Sequence, residues 1–113
     1  CSSDLHKDYH GIYCGSLPKR DAAYHQGTAW GFLMGGFLTA YMKVHHHSPE
    51  AKKQAMAYLA PVQTHLLEEG CIGSISEIFD GDAPHTCRGC YAQAWSVGEI
   101  LRCYTQDIQK NQK

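Results

Sequence analysis

Apolar residues return at helical spacing in three stretches of the chain. In the first, Trp30, Met34, Phe37, Tyr41 and Val44 follow at steps of four, three, four and three, and Leu33, Leu38 and Met42 widen the stripe. Thr28 is placed to cap the start of this helix. A helix apolar over most of its circumference is expected to be deeply buried. Gly31, Gly35 and Gly36 each weaken it by about 1 kcal/mol against Ala, a cost often met where another backbone or a ligand comes close. The second helix opens on Ser48-Pro49-Glu50, a cap, a proline in the first turn and an acid near the helix N-terminus. It runs to about Glu69, with Ala55, Met56, Leu59, Val62 and Leu66 on one face. Pro61 is expected to kink or interrupt it, and Gly70 to close it. The third helix spans about 91–108, with Ala94, Val97, Leu101, Tyr104 and Ile108 in one stripe and Trp95 and Ile100 beside it. Beyond it, residues 110–113 are expected to fray.

Between these helices the pattern changes. The first 20 residues show no period and predict ordered loop without a long helix. Residues 73–82, Gly-Ser-Ile-Ser-Glu-Ile-Phe-Asp-Gly-Asp, place three carboxylates within six positions. Ile75, Ile78 and Phe79 can press into a core while Glu77, Asp80 and Asp82 point elsewhere. Carboxylates held partly buried are candidates for acid–base chemistry. The plain alternative is a turn, with Asp80-Gly81-Asp82 as turn chemistry and Glu77 solvated. A second concentration of polar and aromatic groups, Lys19-Arg20-Asp21-Ala22-Ala23-Tyr24-His25-Gln26-Gly27-Thr28-Ala29-Trp30, precedes the first helix. Planar polar groups and aromatic faces are the kit that binds sugars; the plain alternative is a capped helix start with an Arg20–Asp21 ion pair. If the first two helices pair antiparallel, both loops meet at one end, with Glu77 facing Asp21, His25 and Trp30. Loops this long in a compact unit are usually functional.

Composition narrows the class. The 113 residues, 43% apolar, make one domain's worth of chain. A formal net charge of -1 gives no electrostatic case for nucleic acid. No apolar run approaches the roughly 20 residues that span a bilayer. The chain begins with Cys, not Met, and shows no signal peptide, so it is expected to be processed or cut from something larger. Cys1-Ser2-Ser3 would also suit the mature end of a lipid-anchored protein. Six Cys and eight His raise the question of metal. Only Cys87 and Cys90 have C-x-x-C spacing, where a zinc ribbon needs two such pairs, and His45-His46-His47 falls where a helix should end. Reduced thiols in a cytosolic protein, with no metal or other cofactor, are the expectation. A small Cys/His module built on Cys87, Cys90 and nearby His is the alternative from a different class.

Three stretches, 20–30, 73–82 and 88–97 (Arg-Gly-Cys-Tyr-Ala-Gln-Ala-Trp-Ser-Val), occur in the same order as in glycogen debranching enzymes, and closely resemble the C-terminal end of that family. The resemblance runs from about Tyr9 to Cys103. It implies an all-α fold: the C-terminal fragment of an (α/α)6 barrel, about three helices with long structured loops, residues 1–113 forming one piece and 1–8 and 109–113 loosely ordered. It implies an inverting amylo-α-1,6-glucosidase acting at glycogen or limit-dextrin branch points in the cytoplasm. Glu77, in Ser-Glu-Ile-Phe-Asp-Gly, takes the place of the general base; the acid is an Asp from an upstream segment, so the fragment alone is expected to be inactive. Asp21, His25, Gln26 and Trp30 are implied as sugar contacts, with Arg88 and Trp95 less directly. Asp80 and Asp82 would position Glu77 or turn the loop. The partners implied are a branched α-glucan and the upstream remainder of the barrel, with neither nucleic acid nor membrane. A related barrel acting on another oligosaccharide is the nearest alternative. One departure stands out: many relatives have Trp-Pro-Trp where this chain has Trp30-Gly31-Phe32.

Overall fold

A computed structural model describes residues 5–109. Cys1, where a lipid anchor would attach, and the expected frayed end at 110–113 lie outside the described residues. Among the described residues the chain is mostly helical, with four α-helices and a small sheet. The strongest start signal in the sequence is also the best-formed cap. Ser48 is extended, its Oγ accepts from the Ala51 N–H at 3.1 Å, and α3 runs Pro49–Glu68. Pro61 sits inside α3 without interrupting it, so the expected break does not occur. The proline forfeits one intrahelical hydrogen bond, and its ring stands exposed on the helix. Glu69 then leaves the helix and Gly70 turns at φ 57°.

α2 spans Leu33–Val44 and starts later than Thr28 predicted. Thr28 instead closes the end of a preceding helix, its Oγ1 donating to the Tyr24 carbonyl at 2.9 Å. That helix, α1 at Leu17–Gln26, overlaps only the last residues of the expected loop, and residues 5–16 before it are turn and loop as the sequence predicts. Ser16 and Pro18 start it, and only Ala23 is buried. The expected deep burial of α2 is also corrected. Leu38 and Met42 are fully buried, yet Leu33, Phe37 and Val44 are 57%, 48% and 72% exposed. One face of α2 packs against α3 and the C-terminal helix, and the exposed side chains lie on the rest. α2 ends at His45, with His46 and His47 in left-handed turn conformation, so the triple His is helix-end chemistry.

α4 spans Ala94–Cys103 and widens into a π-helical turn at Tyr104–Gln109. Its buried residues are Ser96, Cys103 and Ile108; of the expected stripe, Ile108 is buried and Tyr104 packs against the core, whereas Ala94 and Leu101 are exposed. Polar hydrogen bonding steers that end. Thr39 donates to Asp107 Oδ2 at 2.6 Å, and Arg102 bridges Glu99, Asp107 and Thr39. The main core lies between α2, α3 and α4: Leu38, Met42, Ala51, Ala55, Leu59, Cys103 and Ile108. Burying each Leu or Met side chain there contributes about 1.5–3 kcal/mol. Gly35 lets α2 meet α4 closely; a Cβ there would lie 2.7 Å from Glu99 Oε2.

The all-α expectation misses a three-stranded antiparallel sheet ordered β1-β2-β3, with β1 Ala29–Trp30, β2 Ile78–Phe79 and β3 Cys87–Arg88. Trp30 pairs with Ile78, and Ile78 with Arg88. These pairings draw the three motif stretches together at one end of the helices. Among the described residues no helix is long and apolar enough to cross a membrane.

Candidate functional site

Glu77 stands at the head of the central strand. Its carbonyl accepts from the Gly31 N–H at 3.1 Å and its own N–H donates to the Cys90 carbonyl at 2.8 Å. The backbone is thus held from both flanking strands. The Gly31 bond needs an N–H, which a proline at that position would not supply. The side chain is held as firmly. Tyr24 donates its hydroxyl proton to Glu77 Oε1 at 2.6 Å, and the Cys90 N–H donates to Oε2 at 3.0 Å. Ile78, the next residue, is fully buried and anchors the strand, while Glu77 keeps partial exposure. Gly89 makes room: at φ 69°, a Cβ there would lie 2.6 Å from Glu77 Oε2.

The residue before Glu77 is pinned from the other side. Buried His65 accepts the Ser76 N–H at Nε2, 3.2 Å away, so its proton sits on Nδ1, facing Glu69 Oε2 at 3.3 Å. Its ring also meets Phe79 edge-on at 5.0 Å.

The other loop acids separate into distinct roles. Asp80 is 3% exposed. It accepts from the Tyr13 N–H at Oδ1 and from Arg88 Nε and Nη2 at Oδ2, 3.1 and 3.0 Å away. The Asp80 carboxylate beside it raises the Arg88 pKa further. Asp82 accepts from the Tyr9 hydroxyl at 2.9 Å. Both therefore shape the loop and its tie to residues 9–13, and neither bonds Glu77.

Aromatic rings line the space beside Glu77. Tyr24 meets Trp30 edge-on at 4.6 Å, Trp30 lies 6.0 Å from Trp95, and Phe32 stacks on Trp95 at 4.7 Å and 29°. Trp95 is 47% exposed. Of the residues singled out in the sequence, Glu77, Trp30 and Trp95 are brought to one place. His25 touches the edge of that place through Tyr24, at 5.2 Å. Asp21 and Gln26 lie exposed on α1 with no hydrogen bond to Glu77. Arg88 is committed to Asp80 through two of its three nitrogens. The sequence reading does not single out Tyr24, Phe32 or His65 as site residues, and of its two roles for Asp80, positioning Glu77 or turning the loop, the bonds to Tyr13 and Arg88 match the second. Tyr24 lay inside the aromatic and polar stretch before β1, but its role depends on α1, which has no apolar period to reveal it.

Tyr24 is pushed up to about 12, chiefly by its hydrogen bond to Glu77, then by burial and by the Glu77 charge. At neutral pH its hydroxyl is therefore a donor, and Glu77 the acceptor. A cavity of about 940 Å³ adjoins the aromatic cluster through Trp30 and is lined also by Met34, Phe37, Val62, His65 and Phe79 among others. Glu77 does not line it, and the cavity's titratable groups Tyr9, His65, Glu69, Asp80 and His85 are each already hydrogen-bonded within the protein. The Cys/His alternative finds no group of three or more ligands able to hold a metal among the described residues. The five described cysteines are free thiols.

The arrangement fits one comparison with known proteins. The family model described as amylo-alpha-1,6-glucosidase matches residues 2–102. No curated protein and no solved structure gives a significant match.

Proposed function

The chain belongs to the amylo-alpha-1,6-glucosidase family, and from that premise we propose that it carries the general-base side of an inverting α-1,6-glucosidase site, with Glu77 as the base. The observation that carries this reading is the double tether of Glu77. Both carboxylate oxygens are fixed by donors, at 2.6 and 3.0 Å, beside a partly exposed aromatic cluster. Each oxygen retains a lone pair for a water. Inversion requires a base about 6.5–9.5 Å from the acid, with room for that water between them. Glu77 takes the water's proton as its oxygen bonds to the anomeric carbon, and an acid protonates the departing glycosidic oxygen. On this reading the acid is an Asp supplied by an upstream part of a longer protein, and residues 1–113 are the C-terminal portion of an (α/α)6 barrel.

Trp30 and Trp95 offer faces for the sugar ring, with His25 at the rim. Asp21, Gln26 and the free edge of Arg88 are outer contacts that reach sugar only once the rest of the barrel encloses it. The substrate is an α-1,6-linked glucose at a glycogen or limit-dextrin branch, the compartment the cytoplasm, and no cofactor takes part. The elongated shape supports the longer protein: the radius of gyration is 15.2 Å, against about 13 Å for a self-contained domain of this length.

The test is Glu77→Gln in the full-length protein, assayed for glucose released from an α-1,6-branched limit dextrin. Loss of a general base lowers the rate by about 10²–10⁴ while substrate binding is largely kept. Near-normal glucose release would show that Glu77 is structural and that the base lies elsewhere.

A further inference from the structure

Tyr24 is the group in direct contact with Glu77 to which the reaction itself gives no part. We propose that Tyr24 is a positioning residue for Glu77: its hydroxyl, carried on α1, fixes the Oε1 edge of the carboxylate so that a water meets the base in one orientation. The inference rests on the reading of Glu77 as general base.

Three observations carry it. The bond joins residues 53 apart in sequence at 2.6 Å, so it is a tertiary tether between α1 and the central strand. The Tyr24 ring cannot swing freely, because Trp30 meets it at 4.6 Å and 72°, His25 at 5.2 Å and 88°, and Tyr13 at 6.1 Å and 53°. Finally, the Cys90 N–H alone, on Oε2, would leave the carboxylate free to pivot about that single contact. A catalytic group has to be held within about 0.5 Å of its working position by neighbours whose own rotamers are locked. Two donors on two elements meet that need, and Tyr24 is the side-chain half of the pair. α1 thereby acquires a purpose that its single buried residue, Ala23, does not account for.

The experiment is a double-mutant cycle in the full-length protein with limit dextrin as substrate. Tyr24→Phe keeps the ring and removes the donor. The kcat is expected to fall about 10–100-fold, as for a lost hydrogen bond to a charged group, with KM changed less than about twofold. In a Glu77→Gln background the same substitution should produce no further loss, because no base is left to orient. An equal loss in both backgrounds, or a change confined to KM, overturns the proposal. A second measurement does not depend on Tyr24→Phe folding: the latest tyrosine to ionise in the parent should ionise earlier in Glu77→Gln. An unchanged tyrosine titration also overturns it. The two failures are distinguishable. If Glu77→Gln is itself active, the base assignment falls and takes this inference with it. If Glu77→Gln is inactive and Tyr24→Phe keeps full kcat, only the role of Tyr24 falls.

Discussion

At the scale of single residues, the site depends on two groups that crowd one carboxylate. Tyr24 donates to Glu77 only while protonated, and its pKa stands at about 12 in the fold against about 10 in an unfolded chain. A group whose pKa is raised on folding lends stability that is whole below the unfolded value. The tether is therefore intact below about pH 10 and is lost as the pH climbs through about 12. Tyrosinate absorbance should show one late-ionising tyrosine among the seven, and Tyr24→Phe should lack that late step. An identical titration curve for the variant would mean that the bond is absent in solution. Gly89 offers the complementary prediction. An Ala there meets both a left-handed backbone and the Glu77 carboxylate, with Cβ 2.6 Å from Oε2 and 3.0 Å from Ile78 Cγ1. The backbone strain alone is about 1–2 kcal/mol. Gly89→Ala should lower glucose release at least tenfold in the full-length protein, with the carboxylate displaced and the melting temperature reduced. Unchanged kinetics would mean that the strand accommodates the methyl without moving the Glu77 carboxylate.

At the scale of elements, α1 and α3 begin with nearly the same signal, Ser16 followed by Pro18 and Ser48 followed by Pro49. Only α3 is legible in the sequence, because an apolar stripe follows its cap; Ala55 and Leu59 of that stripe are buried, while Met56 is exposed. α1 buries Ala23 alone, so no period marks it, and its Ser16 makes no side-chain cap. Ser48→Ala should accordingly destabilise the chain by about 1 kcal/mol, measured as a shift in urea midpoint. Ser16→Ala should leave the midpoint in place. The sheet was illegible for a different reason. Strands of two residues carry no alternation, and their pairing joins positions 29–30, 78–79 and 87–88, a long-range fact that local pattern does not encode. The candidate site was legible at Glu77 and Trp30, where chemistry-bearing residues cluster in the sequence, and at Trp95 only through the family resemblance. It was not legible where a role depends on the unrecognised helix or on backbone donors such as the Cys90 N–H. The end of α4 shows the same limit. Its apolar stripe pointed to Ala94 and Leu101, while the ties of Thr39, Arg102 and Asp107 turn the helix so that Ser96 and Cys103 face inward.

At the scale of the whole molecule, large apolar side chains of α2 and α3 stand exposed side by side. Phe37 and Tyr58 meet at 5.4 Å and are 48% and 38% exposed, and Leu33, at 57%, lies one turn before Phe37 on α2. With Tyr41, 5.6 Å from Tyr58, they form a continuous patch across α2 and α3. Patches of this kind on a monomer mark an interface or an aggregation liability, and the proposed barrel offers the simplest account, in which further helices cover these faces. The prediction follows from that account. The isolated 113 residues should self-associate at micromolar concentration by light scattering, and the double variant Leu33→Lys, Phe37→Lys should scatter less, because it replaces the patch with charge while leaving Leu38 and Met42 in the core. In the full-length protein the same double variant should instead be harmful: two lysines buried against covering helices would lower the melting temperature, by burial of unpaired charge. Opposite signs in the two settings are the signature of a face that belongs to an internal interface. An innocuous double variant in the full-length protein would mean that the patch stays open there, and that something other than the chain's own helices meets it.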